Sequence, residues 1–275
     1  MSRIIEANIQ VHTAMADSYN RNEPHYRPEN RAKVRGKLVA LKQPHFRRML
    51  DLGCGTGFII DLAKDLFDEI HGVDVTQAML DRVDLGGGNI TLHRCAAERL
   101  PFAEDSFDFA TAYALLHHLE DYRRVLAEVH RVLRKGGSFY VDLEPNQGFW
   151  SAVSTAAAGD ADDRIAFDPI VAREIESVLH TDTRVEREFG LPAATFNQAE
   201  YTKSLLGGID ASRFCAEAQA LGFDECNVRY EWFLGQGSVM HEQSLQASET
   251  VEGYLRRALP LSAHLFKYLE FVLVK

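Results

Sequence analysis

Apolar residues along this chain follow two alternating patterns. Short unbroken runs alternate with stretches whose apolar positions recur every three or four residues. The runs predict buried strands over Arg48–Leu52, Ile70–Val73, Ile90–Cys95, Phe107–Tyr113 and Ser138–Leu143. Between them, the helical spacing of Ile59, Leu62, Ala63 and Leu66 predicts a helix over Phe58–Phe67. A short helix is predicted over Thr76–Val83 with Thr76 as its N-cap. A third covers Tyr122–Leu133, where Val125, Leu126, Val129, Val132 and Leu133 are apolar and Gly136-Gly137 is the expected C-cap. Gly86-Gly87-Gly88 marks a turn. Ahead of the first strand, Val34, Leu38 and Leu41 predict a helix from Pro28 to Leu41, stopped by Pro44.

Strands that alternate with helices argue for an α/β fold, a mostly parallel sheet covered by helices on both faces. The alternation breaks after Gly148. Residues 148–206 hold two or three helical segments, of which Ala166–Leu179 is the clearest. An amphipathic helix at Ser212–Leu221, a strand at Glu225–Phe233, a second irregular stretch from Gly235 to Ser262 and a last strand at Tyr268–Val274 complete the pattern. The expected organisation is therefore an N-terminal helical cap (1–45), a ligand-binding core (46–146), a helical insertion forming a lid (147–210), and the rest of the sheet (211–275) with a second insertion at 235–262.

Composition narrows the function. The 275 residues are 46% hydrophobic and 25% charged, ordinary for a globular protein, and the net charge of -10 disfavours a nucleic-acid partner. The basic residues Arg123-Arg124, Arg131 and Arg134-Lys135 alternate with Glu120, Asp121 and Glu128, which reads as a salt-paired solvent face. Cys54, Cys95, Cys215 and Cys226 are scattered without a C-x-x-C pair, so neither a disulfide framework nor a zinc site is expected. The first residues lack an apolar signal core and no run reaches membrane-spanning length, so a soluble, cytoplasmic protein is expected. The acidic run Asp160 to Asp163 reads as a solvated loop, and no metal is expected. Whether the chain is a monomer or a dimer is not set by these features.

The candidate chemistry lies at three strand ends, where open α/β sheets bind ligands. In Met49-Leu50-Asp51-Leu52-Gly53-Cys54-Gly55-Thr56-Gly57 an apolar strand passes into alternating glycines that open a helix. Glycine there permits a tight turn and close approach of a ligand. The spacing is G-x-G-x-G, unlike the G-x-G-x-x-G of dinucleotide binding. Asp74 ends the second strand about twenty residues on, where a carboxylate can accept from both hydroxyls of a ribose. After the third strand, Cys95-Ala96-Ala97-Glu98 has small residues that leave room for a flat base, with Glu98 or nearby amides at its polar edge.

With Gly72-Val73-Asp74-Val75, Met79-Leu80, Leu100-Pro101-Phe102, Ser106-Phe107-Asp108, His117-His118-Leu119 and Leu133-Arg134-Lys135-Gly136-Gly137 in the same order, residues 46–145 resemble class I S-adenosylmethionine-dependent methyltransferases. They resemble most the small-molecule branch that includes the ubiquinone and menaquinone C-methyltransferases. The resemblance implies a Rossmann-like, seven-stranded sheet with an antiparallel last strand. It implies S-adenosylmethionine as cofactor, with Gly53, Cys54 and Gly55 near its methionine part, Asp74 at the ribose, Ala97 and Glu98 at the adenine, and Met79 against the adenosine. Asp51, Val75 and Tyr19 complete the implied cofactor-binding set, Tyr19 as an N-terminal aromatic closing over the site.

Methyl transfer from a sulfonium requires alignment and exclusion of water, and a base only where the acceptor must lose a proton. His118 is the first candidate and His117 the second, because imidazole is poised near neutral pH. Glu144 reads as a substrate or helix-terminus contact. The expected acceptor is a small, aromatic or amphipathic metabolite methylated at O, N or C. Two alternatives are a nicotinamide-dependent oxidoreductase, against which the glycine spacing and the lack of a Tyr-x-x-x-Lys pair argue, and a non-catalytic S-adenosylmethionine-binding protein.

Overall fold

The computed structural model describes residues 2–158, 169–236 and 245–275. The chain opens with α1 (Arg3–Met15), the short α2 (Tyr19–Asn22) and α3 (Pro28–Leu41). The core then runs β1 (Arg48–Leu52), α4 (Phe58–Ala63), β2 (Glu69–Asp74), α5 (Gln77–Leu80), β3 (Ile90–Arg94), β4 (Phe107–Tyr113), α6 (Tyr122–Val132) and β5 (Leu133–Pro145). A helical stretch follows, α7 (Gln147–Ala158), α8 (Pro169–Leu179), α9 (Thr181–Phe189), α10 (Ala193–Ala199) and α11 (Tyr201–Leu206). The chain closes with α12 (Ala211–Ala220), β6 (Glu225–Phe233), α13 (Leu245–Arg257) and β7 (Phe266–Val274).

The seven strands form one sheet in the order β3-β2-β1-β4-β5-β7-β6. Strands β1 to β5 pair in parallel, and β7 is antiparallel to both β5 and β6. This is the mostly parallel, Rossmann-like sheet with an antiparallel last strand that the pattern and the resemblance imply. Val125, Leu126 and Val129 of α6 and Phe214 and Ala218 of α12 belong to one apolar cluster; Val34 and Leu38 of α3 and Phe58 and Ile59 of α4 belong to a second. Each fully buried side chain of this size contributes roughly 1.5–3 kcal/mol relative to exposure.

Several boundaries differ from the expected ones for identifiable reasons. Helix α4 stops at Ala63, short of Phe67, because the Asn89 side-chain amide donates to the carbonyls of Lys64 and Phe67 (3.0 and 2.9 Å). Gly136-Gly137 does not cap α6; Leu133 does, and both glycines lie inside β5. A side chain at Gly137 would come within 2.8 Å of the Arg134 carbonyl and 3.0 Å of the Asp108 carbonyl, so the strand passes there only as glycine. At Thr76 the N-cap position is as expected, but its side chain makes no capping bond.

The polar N-terminus holds an element that the strand-and-helix reading passes over. Ile4, Ala7, Asn8 and Val11 are the buried positions of α1, and the Ser2 hydroxyl accepts from the Ile5 amide at 3.3 Å. Helix α1 packs through Ala7 and Val11 against Val185, Leu191, Phe196 and Ala199 of the insertion. The insertion holds more helices than the two or three expected. Asp160 to Asp163, the first residues of the predicted Ala166–Leu179 helix and part of the 235–262 stretch lie outside the described residues.

The expectation of unpaired cysteines is corrected. Cys215 of α12 and Cys226 of β6 form a disulfide, with their Cα atoms 5.5 Å apart. Their sequence spacing carries no motif; the return of the chain from helix to adjacent strand brings them together. Among the described residues no helix is long and apolar enough to cross a membrane.

Candidate active site

A cavity of about 550 Å³ opens at the carboxyl ends of β1, β2, β3 and β4. Its floor begins with the glycine turn. Gly53, Gly55 and Gly57 all have positive φ (60, 53 and 88°), the left-handed region that side chains adopt at a cost. The turn is tied down on both sides. The Cys54 amide donates to the Val73 carbonyl at 3.0 Å, and the Gly55 amide donates to Asp74 Oδ2 at 3.0 Å. The other Asp74 oxygen accepts from the Thr76 amide at 2.7 Å. The carboxylate is thus fixed by two backbone donors and keeps acceptor capacity toward the cavity that it lines.

The N-terminal segment covers this turn. The Tyr26 hydroxyl and Thr56 Oγ1 are 2.5 Å apart, and Thr56 Oγ1 donates to Asn20 Oδ1 at 2.6 Å. Tyr19 reaches the cavity wall from the same segment, with Ile4, Ile5, Asn8 and His12 of α1 beside it. Burial, with Glu23 and other acidic neighbours, holds the Tyr19 hydroxyl well above its ordinary pKa, so it remains a neutral phenol.

Of the residues singled out from sequence, Tyr19, Gly53, Gly55, Asp74, Val75, Met79, Ala97, Glu98 and His118 line this one cavity. Asp51, Cys54 and His117 do not. Asp51 is buried beneath the turn, where Oδ1 accepts from Thr111 Oγ1 at 2.7 Å and Oδ2 has no protein partner. Burial pushes its carboxyl up to about 7, against the lowering effect of the Thr111 bond. The Cys54 thiol packs in the apolar core under the sheet, near the position a Gly72 side chain would take. Burial raises it well above the ordinary thiol range, which makes it inert.

His117 and His118 stand on a 3-10 turn, Leu116–His118, after β4. His118 faces the cavity; His117 turns inward, its Nδ1 2.9 Å from Glu144 Oε2. Glu144, at the end of β5, is fully buried and does not line the cavity. It accepts instead from the amides of Leu115, Leu116 and His117, a cap on the 3-10 turn. Glu200, between α10 and α11, lies 3.8 Å from His117 Nε2 and 3.6 Å from His118 Nδ1. Among the described residues, His117, His118 and Glu200 are the group with donor atoms close enough for a metal, within 4.8 Å of one another. Those atoms already have partners: His118 Nδ1 donates to the Ala199 carbonyl at 2.9 Å and Glu200 accepts from Lys203 Nζ at 2.9 Å.

Asn8, His12, Leu115 and Tyr201 also line the cavity and were not singled out from sequence, and Arg123 and Arg124, read there as part of a salt-paired solvent face, reach its rim. For Asn8 and His12 a signal existed, the helical spacing of Ile4, Ala7 and Val11 after a capping serine. Tyr201 had none, since it arrives through the fold of the insertion.

Residues 50–141 match the family model of a methyltransferase domain. The uncharacterized methyltransferase YcgJ of Bacillus subtilis is 36% identical over 97 residues, which are 34% of this chain and 38% of that protein. The demethylmenaquinone methyltransferase of Lactobacillus johnsonii is 33% identical over 148 residues, 48% of this chain and 60% of that one. The similarity thus spans less than two thirds of the length of either relative. Among solved structures, a Haemonchus contortus phosphoethanolamine N-methyltransferase, in complex with phosphomonomethylethanolamine and S-adenosylhomocysteine, superposes with a TM-score of 0.56 at 16% identity. That match covers 95% of this chain and 56% of the other, and at such identity it is a likeness of fold.

Proposed function

We propose, from the methyltransferase domain that residues 50–141 match, that this chain is an S-adenosylmethionine-dependent methyltransferase acting on a small molecule. The observation that carries this reading is the convergence of the glycine turn, Asp74 and Ala97-Glu98 on one cavity. A side chain at Gly53 would come within 2.5 Å of Leu115 Cδ1, and one at Gly55 would stand 3.6 Å from Met79 Cε; without them the cradle stays open to a ligand. The residues present suit an adenosyl cofactor. Gly53 and Gly55 offer close backbone approach to its methionine part, Asp74 offers acceptors to the ribose hydroxyls, and Met79, Ala97 and Glu98 border the adenine. Asp51 and Cys54 support the turn from below without touching the ligand, and Val75 adds wall.

When bound, S-adenosylmethionine supplies an electrophilic methyl group on a sulfonium. The protein's residues do the rest. Tyr19 presents an aromatic face, attractive to a nearby cation. Helix α1 and the insertion exclude water above the transfer point. In this reading residues 1–45 and 147–210 are the cap, and they choose the acceptor, a small aromatic or amphipathic metabolite methylated at O, N or C. His118 is the group at the cavity placed to take a proton from that acceptor. His118 stays neutral, because burial and its neighbour His117 hold its pKa well below the ordinary histidine value.

Calorimetric titration with S-adenosylmethionine, S-adenosylhomocysteine and NAD tests the reading. Binding of the two sulfur compounds at one site per chain is expected. Binding of NAD with no response to either would replace the methyltransferase by an oxidoreductase.

A further inference from the structure

The turn that carries His118 is joined to the insertion by a chain of charges. Glu144, wholly buried, meets His117 Nδ1 at 2.9 Å on one side of the ring. On the other side, His117 Nε2 faces Glu200 Oε2 at 3.8 Å, and Glu200 holds Lys203 Nζ at 2.9 Å. A neutral imidazole carries one proton and satisfies one of these carboxylates while turning a lone pair on the other. A doubly protonated ring hydrogen-bonds Glu144 and pairs in charge with Glu200, and Glu144, His117, Glu200 and Lys203 then sum to zero charge. A divalent cation in place of that proton would leave the group positive, beside an ammonium, and would have to break the His118–Ala199 bond.

His118 follows from the same contact. Its Nδ1 is 2.9 Å from the Ala199 carbonyl, which can only accept, so Nδ1 bears the proton and Nε2 keeps its lone pair. Ala199 and Glu200 are consecutive, so one short piece of the insertion sets both rings. The Thr202 hydroxyl adds a bond to the Leu119 carbonyl at 2.9 Å, and Asn8 of α1 donates to the His118 carbonyl at 3.2 Å.

We propose that Glu200 is a positioning residue: brought in by the insertion, it completes the bridge across His117 that Glu144 begins, and so holds His118 with Nε2 as the acceptor at the cavity. The proposal rests on the methyltransferase reading for what His118 would serve, and on the geometry alone for the bridge. Docking of the insertion and assembly of the base are then one event. The groups facing His117 are Glu144 from β5, Glu200 and Lys203 from the insertion and His118 on its own turn, with His12 of α1 beyond. Burial works against a charged His117, but Glu144 and Glu200 outweigh it and hold its pKa above the ordinary value.

Histidine-labelled protein, followed by long-range proton–nitrogen NMR across pH, tests this. The expected spectrum has His117 protonated on both nitrogens at neutral pH and His118 as the Nδ1–H tautomer. Glu200→Gln should lower the His117 midpoint by roughly one to three pH units, and Glu200→Asp should restore part of that shift. A neutral His117, a midpoint unmoved in Glu200→Gln, or an Nε2–H tautomer at His118 would each overturn the proposal. So would stoichiometric zinc in the purified protein that is lost in Glu200→Gln. A parallel titration with S-adenosylhomocysteine separates the two readings, since no binding with the histidine pattern intact removes the cofactor and leaves the bridge.

Discussion

The Gly55 amide donates to Asp74 Oδ2 at 3.0 Å, so the end of β2 holds the turn that follows β1. One carboxylate thereby shapes the cradle and faces the cavity. Asp74→Ala removes both the proposed ribose acceptors and the clamp on the turn. It should weaken S-adenosylhomocysteine binding by about 1–3 kcal/mol, the range for lost hydrogen bonds to a charged group. Calorimetry on the folded variant measures it, and unchanged affinity would take Asp74 out of the ribose role.

Asp51 predicts a pH dependence of stability. Its folded pKa, raised to about 7 by burial, lies above the ordinary value near 4 of an unfolded chain. Between those values the folded state binds more protons than the unfolded one, so this group lowers stability as pH rises, and its effect levels off above about 7. Asp51→Asn removes that component. Urea unfolding at pH 5 and pH 8 should show the variant gaining relative to the parent at the higher pH; a difference independent of pH would refute the assignment.

Lys37 of α3 meets a buried set of carboxylates, 2.9 Å from Asp142 Oδ2, 2.5 Å from Glu270 Oε2 and 3.5 Å from Glu231 Oε1. Burial penalises its charge, yet these neighbours raise its pKa above the ordinary lysine value. Lys37→Met leaves buried negative charge with less compensation and should cost about 3–5 kcal/mol in urea unfolding. A cost under about 1 kcal/mol would mean that Lys33 and Arg256, which also contact Glu231, take over the pairing.

The alternation of β and α segments, the glycine turn and Asp74 were legible because each is local. A buried strand must be an apolar run, and a left-handed turn selects glycine, whatever lies elsewhere in the chain. The boundaries of β1 and β4 match the expected ones for that reason. Lys37 reads locally as one more polar position on a helix, and only the sheet beneath it supplies Asp142, Glu231 and Glu270.

Local sequence pattern was enough for the alternation of strands and helices and for the glycine turn and Asp74 at the strand ends, and the resemblance added the Rossmann-like sheet. Tertiary structure decided which of those residues face the cavity and which stand behind it, separating His118 from its neighbour His117 and Gly53 from Asp51. It also joined Cys215 to Cys226 and brought Glu200 to the histidine turn from 82 residues away in the numbering (200 minus 118). The physical reason is range. Backbone geometry and hydrophobic period act between near neighbours, whereas ion pairs, caps on distant turns and disulfides are set by the packing of helices and insertions onto the sheet.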